Sequence, residues 1–378
     1  DMSGKDAYTE GILSEYLGKK LHPPRHPGRG HGCVDTPHVK FVGDIHPNDV
    51  AQGTVGDCWL LSAISAMSEF DGAIKALFAK TQGVNEMPRP EFNRYVITIY
   101  DVTTVPPTPV DYEIDERLCS TADGSRLLGC EPSVDAELWA CYLEKAVAIH
   151  CGGWDQLDGG HCTHAWRILT GCLDCYTFMN SDGCGFQCFG TKNPNTEEWE
   201  PLENSPHQGF QGLWPMEWPE CGGGGEIMMT IDDNEMFERM CAWDDQNYIV
   251  ACGTKAGEDH HDVDGIVDGH AYTVLTCIND AGNTQFDMIK VRNPWGKCEF
   301  KSGMWSDDGP GWEMYPQVKA VCRPVVADDG VFWVEKGEFF DYFKTVYLCA
   351  ADMSGFIEGG AQASMSAEAL AGSSPSFF

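Results

Sequence analysis

The residues best suited to chemistry lie in one stretch, Gln52–Leu61, where a glycine-rich turn runs into an apolar segment that we expect to be helical to about Phe70. Asp57 is a favourable helix-capping residue, which would place Cys58 in the first turn. Backbone N–H groups and the helix dipole stabilise an anion there, so a thiol at this position is biased towards the nucleophilic thiolate. The stretch therefore offers a candidate nucleophile, although a buried cysteine that opens a core helix would look the same.

Gln52 precedes this cysteine by six residues, so its side-chain amide can fold back beside the sulfur. With the backbone N–H of Cys58, it would stabilise the negative oxygen that forms when a thiolate attacks a carbonyl carbon. Gly53 and Gly56 allow the tight turn and leave space for a substrate chain. These residues indicate the oxyanion hole of an acyl-transfer enzyme.

A base and an orienting residue for such a thiol occur far along the chain. The segment Gly269–Leu275 alternates like a β-strand and carries His270 near its start, and a second strand over 286–291 leads to Asn293. Adjacent antiparallel strands can place the two side chains together, so that the asparagine carbonyl accepts the imidazole N–H. Trp295 is placed to cover that hydrogen bond and exclude water.

Three blocks of the sequence resemble, in order and separation, the cysteine, histidine and asparagine blocks of the calpain protease core. They read QGTVGDCWLL, GHAYTVL and VRNPWG. Glu137–Ala146 is similar to a helix behind the calpain active site, and residues 329–343 are similar to the last strand and helix of that core. The resemblance spans about residues 35–350 and is far more specific than an isolated cysteine and histidine.

The resemblance implies a calpain-like cysteine endopeptidase that performs limited proteolysis of other proteins. It assigns the roles of nucleophile, general base, orienting residue and oxyanion-hole donor to Cys58, His270, Asn293 and Gln52. The residues expected to line the substrate cleft are Trp59, Gly269 and Trp295. Two alternatives stay open: a catalytically silent calpain-like binding or scaffold module, and a transglutaminase-like acyltransferase, which carries aspartate as the third residue.

The implied fold is α+β and papain-like, with a helical subdomain and small sheet facing an antiparallel β subdomain. We expect an extended N-terminal segment over 1–34 and a first subdomain over 35–221, which contains a Cys/Trp-rich insertion at about 172–221. A hinge at Gly222–Gly225 should lead to a second subdomain over 226–351, followed by a disordered tail over 352–378. The sequence pattern predicts helices at 73–80, 137–150 and 235–242, and strands at 95–102, 112–115, 248–252, 271–277, 286–291 and 331–334.

Calcium is a possible cofactor, because calpains carry a calcium-binding loop in each half of the core. In the second half the resemblance implies the ligands Glu299, Asp307 and Asp329. Calcium takes six to eight oxygen ligands, and three carboxylates from two loops can supply several of them. Val331 stands where the family pattern has another glutamate, which removes one ligand.

The first calcium site is less complete. Asp49 matches an acidic ligand, but the region that should supply a later carboxylate, residues 162–167, contains none. Pro47 also replaces the arginine that would pair with the missing glutamate. Ordinary exposed carboxylates are the alternative interpretation at both sites.

The insertion contains four cysteines with loosely zinc-like spacing. They are Cys172, Cys175, Cys184 and Cys188. The Cys-x2-Cys element is common and the second pair is irregularly spaced, so thiols packed in a loop-rich insertion are the favoured interpretation over a zinc site or a disulfide knot.

Composition limits the possible partners. The chain has 378 residues, 42% of them hydrophobic, with 25 basic and 58 acidic residues and a formal net charge of −33. Such a surface repels phosphate backbones, so we expect no nucleic-acid binding; protein substrates are implied by the calpain resemblance. The sequence has no apolar run near 18 residues, so membrane insertion is not expected. The 18 cysteines fit either a reducing or an oxidising compartment; the calpain resemblance favours a cytoplasmic location and a larger multidomain parent protein.

Overall fold

The computed structural model describes residues 45–81, 94–104, 106–115, 118, 127–132, 137–180, 185–192, 199–201, 231–255, 257 and 262–357. The chain divides into two compact units. The first comprises Asp1–His161, Arg167–Gly171 and Gly355–Phe378; the second comprises Cys162–Trp166 and Cys172–Ser354. The predictions for the segment 1–34, the hinge and the tail beyond residue 357 lie outside the described residues.

Three helices lie in the first unit. They are α1 (Cys58–Met67), α2 (Asp71–Leu77) and α3 (Trp139–Cys151). Helix α1 buries every side chain from Trp59 to Met67 and ends three residues earlier than the sequence predicts, because the N–H of Ser68 closes the last turn on the Ile64 carbonyl. A further helix, α4 (Cys162–Thr170), begins in the second unit and ends in the first.

A two-stranded antiparallel sheet completes the first unit. Its strands are β1 (Arg94–Asp101) and β2 (Thr108–Asp115), with Pro109 opposite Tyr100. The sequence predicts the return strand only over 112–115, since prolines usually end strands. Both strands of a two-stranded sheet are edge strands, so Pro109 is tolerated within β2.

The second unit is built on one eight-stranded antiparallel sheet. Its strands are β3 (Cys175–Met179), β4 (Gln187–Lys192), β5 (Trp199–Pro201), β6 (Ile249–Thr254), β9 (Ala271–Ile278), β10 (Met288–Arg292), β11 (Val331–Glu335) and β12 (Phe343–Cys349). Their order across the sheet is β11-β10-β9-β6-β12-β3-β4-β5. A separate small hairpin pairs β7 (Asp262–Val263) with β8 (Ile266–Val267).

The start of the predicted insertion belongs to this sheet rather than to the first unit. Strand β3 pairs with the last strand, β12, and continues through β4 to β5. The side chains of Tyr176, Phe178 and Cys188 lie in the same buried cluster as Trp243 and Val346. The sequence hides this because the partner of β3 lies at the far end of the chain, and local composition cannot report such a long-range pairing.

Four helices accompany the sheet. They are α5 (Asp233–Asp245), α6 (Gly311–Met314), α7 (Pro316–Cys322) and α8 (Lys336–Tyr342). Helix α5 contacts β6 and β9, and its N-cap is Asp232, whose side chain accepts a hydrogen bond from the Glu235 N–H. Within the described part of the chain, no helix has the length and apolarity needed to cross a membrane.

Candidate active site

The candidate nucleophile, Cys58, is the first residue of helix α1 in the first unit. The carbonyl of Asp57 accepts hydrogen bonds from the N–H groups of Leu60 and Leu61, which defines the start of the helix. Cys58 is half-buried. Backbone amides of a first helical turn have no acceptor within the helix, so they favour negative charge at this position.

The loop before Cys58 is fixed by a second loop of the same unit. The N–H groups of Thr54 and Val55 donate to the Leu128 carbonyl, and Ala51 forms a bridge with Glu131. A Cβ atom at Gly53 would lie 2.0 Å from the Gly129 carbonyl oxygen. The lack of a side chain at position 53 therefore makes room for this second loop, whereas the sequence suggests room for substrate.

Gln52 is held by its own loop. Its Nε2 donates to the Val55 carbonyl at 2.8 Å, whereas its buried Oε1 has no hydrogen-bond partner among the described residues. An amide nitrogen carries two hydrogens, so one N–H is used by Val55 and the other is available for the predicted oxyanion-hole role.

Asp57 does not cap helix α1 with its side chain, in contrast to the prediction. Its carboxyl is fully buried and faces the carboxyl of Glu144 from α3, which accepts hydrogen bonds from the Cys130 N–H at 2.8 and 2.9 Å. Apart from Glu144, no group of the described chain donates a hydrogen bond to either Asp57 oxygen. Two carboxyl groups can share a hydrogen bond only when one is protonated.

Burial is the main reason why the pKa values of both carboxyl groups are raised. It raises the pKa of Asp57 to about 7, and the nearby charge of Asp158 adds a little. Burial also raises the pKa of Glu144 well above its ordinary value, with the charge of Asp57 as the next cause. The residue directly before the candidate nucleophile therefore belongs to a buried acid pair that retains a proton at mildly acidic pH.

Trp59 has a structural role that differs from the predicted place in a substrate cleft. Its side chain is 5% exposed, and its indole N–H donates to the Leu157 carbonyl at 2.8 Å. The ring packs so closely on Gly160 that a Cβ there would lie 2.6 Å from it. Trp59 thus ties helix α1 to the loop that follows Gly152.

His270 lies in the second unit, immediately before strand β9. Its N–H donates to the Thr254 hydroxyl at 3.0 Å and its carbonyl accepts the Thr254 N–H, so the end of β6 fixes its backbone. Gly269 has a φ of +63°, and a Cβ at that position would lie 2.6 Å from the Gly257 carbonyl oxygen. Gly269 therefore allows the turn that presents His270, a more direct role than lining a cleft.

Asn293 fixes the tautomer of His270. Its Oδ1 accepts the Trp295 N–H at 3.0 Å, and its Nδ2 donates to the Cys298 carbonyl at 3.2 Å, so the orientation of the amide is determined by its backbone partners. The same Oδ1 lies 2.9 Å from His270 Nε2. That nitrogen must therefore carry a proton, and the lone pair of the neutral ring is on Nδ1.

Two aromatic rings flank the imidazole. The ring of Trp295 lies 4.7 Å from that of His270, and the ring of Tyr272 lies 5.0 Å away in an edge-on orientation. Both His270 and Asn293 are buried. The structure thus brings His270, Asn293 and Trp295 together, with an aromatic cover over the hydrogen bond between the first two.

The predicted second calcium site forms a group of carboxylates beside the Asn293 loop. Glu299 Oε1 accepts the N–H groups of Asp329 and Gly330, Asp307 accepts the Ala327 N–H, and Asp329 accepts the Val331 N–H. Burial raises the pKa of Glu299 to about 7 and also raises the pKa of Asp307; the negative charge of Asp329 adds to both.

The predicted first calcium ligand, Asp49, has a structural role. Its Oδ2 accepts hydrogen bonds from the His46 N–H at 2.8 Å and from the Trp139 indole at 3.3 Å. Pro47 opens the short 3₁₀ helix Pro47–Asp49. Residues 162–167, which lack the expected carboxylate, lie in helix α4. Calcium binding at Asp49 stays a prediction.

The predicted zinc ligands are only partly brought together. Within the described ranges, one group of three or more potential ligands has all its ligand atoms within 4.8 Å of one another, and it consists of Cys172, Cys175 and Cys349. Cys188 lies instead in the apolar core of the sheet, and Cys184 is outside the described residues. Sequence spacing cannot indicate Cys349, because it approaches Cys175 only through the pairing of β3 with β12.

Two residues that contact the candidate site residues were not predicted from the sequence. Thr254 holds the backbone of His270, and Glu144 faces Asp57. Both are polar residues within apolar segments, and that pattern is the one signal that marks them as residues with a special role.

Comparison with known proteins places the sequence in a family. A sequence model of the family described as calpain family cysteine protease matches residues 27–350. The chain is 26% identical over 313 residues to the calpain-type cysteine protease DEK1 of Arabidopsis thaliana, which is 82% of this chain and 12% of that protein.

Animal relatives give a similar result. The chain is 26% identical to calpain-12 of Mus musculus over 315 residues, 81% of this chain and 35% of that protein. It is 25% identical to calpain-9 of Homo sapiens over 313 residues, 82% of this chain and 37% of that protein. The match thus spans between 12% and 37% of the length of these relatives. Because the family model covers most of the sequence, the chain belongs to the calpain family of cysteine proteases.

Proposed function

We propose that this protein is a cysteine endopeptidase in which Cys58 and His270 act together on peptide bonds in extended segments of other proteins. The observation that carries the proposal is the buried hydrogen bond of 2.9 Å between His270 Nε2 and Asn293 Oδ1. It holds the imidazole in the tautomer that can take a proton from a thiol at Nδ1. The position of Cys58 at a helix start and the family membership support the same function.

In the proposed reaction, His270 Nδ1 takes the proton of Cys58 and the thiolate attacks the carbonyl carbon of the peptide bond. The carbonyl oxygen becomes negative, and the Cys58 N–H and the second N–H of Gln52 donate to it. His270 then gives its proton to the leaving amine as the C–N bond breaks, which leaves a thioester. A water molecule, deprotonated by His270, hydrolyses the thioester and restores the thiol. The papain-like arrangement of the two units stays a prediction.

We also propose that Glu299, Asp307 and Asp329 are calcium ligands. Their chemistry fits the ion, since they are half-buried carboxylates and the negative charge of Asp329 acts on both Glu299 and Asp307, a repulsion that a divalent cation would offset. Bound calcium would supply positive charge between the two loops that carry them. The N–H of Gly330 donates to Glu299 and its carbonyl accepts the Asn293 N–H, so these loops also support Asn293.

The test is cleavage of an unfolded protein substrate in reducing buffer, with calcium and with chelator. We expect the wild type to cleave and the variants Cys58→Ala and His270→Ala to be inactive. Cys151→Ala is the matched control, because Cys151 lies in the same unit as Cys58 and is also half-buried, but burial raises the pKa of its thiol to about 11. A peptide epoxide should label the wild type and Cys151→Ala but not Cys58→Ala.

Other outcomes would replace the proposal. If folded wild type neither cleaves nor reacts with the epoxide in either buffer, the silent binding module is the better interpretation. If it joins an added amine to the substrate instead of hydrolysing it, the acyltransferase is favoured. Equal cleavage with and without calcium would keep the protease and remove the calcium switch.

A further inference from the structure

We propose that Cys172, Cys175 and Cys349 form a binding site for a thiophilic d¹⁰ metal ion such as Zn²⁺, separate from the candidate active site. Their three sulfur atoms all lie within 4.8 Å of one another. None of the three forms a disulfide in the structure. Zn–S bonds of about 2.3 Å place tetrahedral thiolates about 3.8 Å apart, so binding requires the sulfurs to approach by no more than about 1 Å.

The sheet determines the placement of two of these thiols. Cys175 on β3 lies directly opposite Cys349 on β12, and the Ala350 N–H donates to the Asp174 carbonyl at 2.9 Å beside them. The pair 174–350 is therefore hydrogen-bonded, and the pair 175–349 is the closer, non-hydrogen-bonded kind. Both cysteines are fully buried and are held by strands on either side of the pair.

The third thiol comes from the loop that leads into β3. Cys172 follows Gly171, which ends helix α4, and it is only half-buried, so it offers an entry path from solvent. The Cys175 thiol donates to the Cys172 carbonyl at 3.3 Å, which folds the Cys172–Cys175 loop back on itself. Three thiolates supply three of the four ligands that zinc takes, and a water molecule can supply the fourth.

A carboxylate lies beside the three cysteines. Asp174 directly precedes Cys175, and its Oδ1 accepts the Tyr176 hydroxyl at 3.0 Å. A bound ion would displace a proton from each ligating thiol into solvent.

A metal here would join two distant parts of the chain. Cys172 and Cys175 begin the sheet-forming part of the second unit, and Cys349 ends its last strand. Because the unfolded chain lacks such a preformed site, zinc should raise the melting temperature of the protein.

The experiment is a titration of the full chain, reduced with a phosphine and stripped with chelator, with Co²⁺ as an optical probe and Zn²⁺ as competitor. We expect one Co²⁺ per chain with thiolate-to-metal charge-transfer absorption that Zn²⁺ abolishes. Cys349→Ser and Cys172→Ser should each weaken Zn²⁺ binding by at least about 100-fold, since even outer-shell changes cost about 10- to 100-fold.

Cys188→Ser is the matched control, because Cys188 is a buried cysteine on the neighbouring strand β4 but lies outside the group. It should bind the probe as the wild type does. Cys172→Ser changes a half-buried position and so provides a test even if Cys349→Ser does not fold.

Either of two results would overturn the proposal. One is Co²⁺ absorption that is missing in the wild type or unchanged in Cys172→Ser. The other is a Cys172–Cys349 disulfide, identified by peptide mapping of protein prepared without reductant, together with no metal uptake by the reduced protein; the group would then be a redox pair. Neither result depends on peptidase activity, so the two proposals fail independently.

Discussion

The surroundings of His270 and of Cys58 are built differently. Around His270 the positioning groups belong to one antiparallel sheet and the loop that leaves it: Thr254 bonds its backbone, and Asn293 bonds its ring and is itself held through the Trp295 and Cys298 backbone. Around Cys58 the helix start rests on packed loops, and the buried Asp57 carboxyl beside it faces the acidic Glu144.

This difference predicts which kind of change, mutation or pH, disturbs the surroundings of His270 and which disturbs those of Cys58. A connected set of satisfied hydrogen bonds is rigid, and its failure should appear when one member is removed. A buried acid pair is stable only while it keeps a proton, so its failure should appear when the pH changes. The histidine side should thus respond mainly to mutation and the cysteine side to pH.

The largest effect should come from Asn293→Ala. The substitution removes the acceptor that holds His270 in one tautomer, and the loss of a correctly oriented base reduces catalysis by about 10²- to 10⁴-fold. The measurement is kcat/KM on an unfolded protein substrate, with the fold checked by circular dichroism. Trp295→Phe serves as comparison, since the backbone N–H that bonds Asn293 remains and only part of the ring cover is lost. If both variants kept wild-type activity, the rigid half of the comparison would be wrong.

The next largest effect should be the pH dependence of the free energy of unfolding that the buried pair Asp57 and Glu144 causes. The folded-state pKa of Asp57 is about 7 against an ordinary value of 3.8, so between these pH values the folded protein keeps a proton that the unfolded chain has released. Its contribution therefore lowers the free energy of unfolding as pH rises from about 4 to 7, by about 1–4 kcal/mol. Glu144→Gln should make this decline smaller, because the glutamine amide can donate to the Asp57 carboxylate.

Urea unfolding at several pH values between 4 and 8 measures the effect. Glu113→Gln removes an exposed carboxylate of β2 and should follow the wild-type curve. If Glu144→Gln and Glu113→Gln gave the same pH dependence as the wild type, the buried pair would not govern the stability of the cysteine side.

The sequence predicts the surroundings of His270 more completely than those of Cys58, for a physical reason. The alternation in Gly269–Leu275 and the strand before Asn293 indicate adjacent strands, and adjacent strands determine the distance between the two side chains. The start of α1 is equally readable from Gly56 and Asp57, but the direction in which the Asp57 carboxyl turns depends on Glu144 in α3. Such long-range packing has no local signature.

The same limit applies to the fold. Helix α3 and strands β9 to β11 were predictable because each has a clear local pattern and turn residues at its ends. The assignment of β3 to the second unit was not, since its sheet neighbour β12 is the last strand of the described chain. Cys349 was missed for the same reason.

A smaller effect is expected from Gly330→Ala. Gly330 has a φ of +82°, which costs another residue about 1–2 kcal/mol, and a Cβ there would lie 2.8 Å from the Asn293 carbonyl oxygen. The substitution should lower the free energy of unfolding by that amount and, by displacing Asn293, reduce turnover about tenfold. Gly282→Ala is the control, with a φ of +65° and a Cβ 2.7 Å from the Gln317 backbone, away from Asn293. Equal turnover in the two variants would show that the Asn293 loop tolerates displacement.

The smallest effect is expected from a pair of tryptophan variants, one in the unit that carries Cys58 and one in the unit that carries His270. Trp59→Phe and Trp312→Phe each remove one indole N–H bond of 2.8 Å, to the Leu157 carbonyl in the first unit and to the Ser306 carbonyl in the second. Trp59→Phe should lower the free energy of unfolding by about 1 kcal/mol, because the buried Leu157 carbonyl loses its donor. Trp312→Phe should cost less, because the partly buried Ser306 carbonyl still accepts the Gly309 N–H at 2.7 Å. Only Trp59→Phe loosens the support of helix α1, so only that variant should alter the rate at which a peptide epoxide labels Cys58. A change in labelling with Trp312→Phe, or none with Trp59→Phe, would mean that the nucleophile does not depend on the loop that Trp59 anchors.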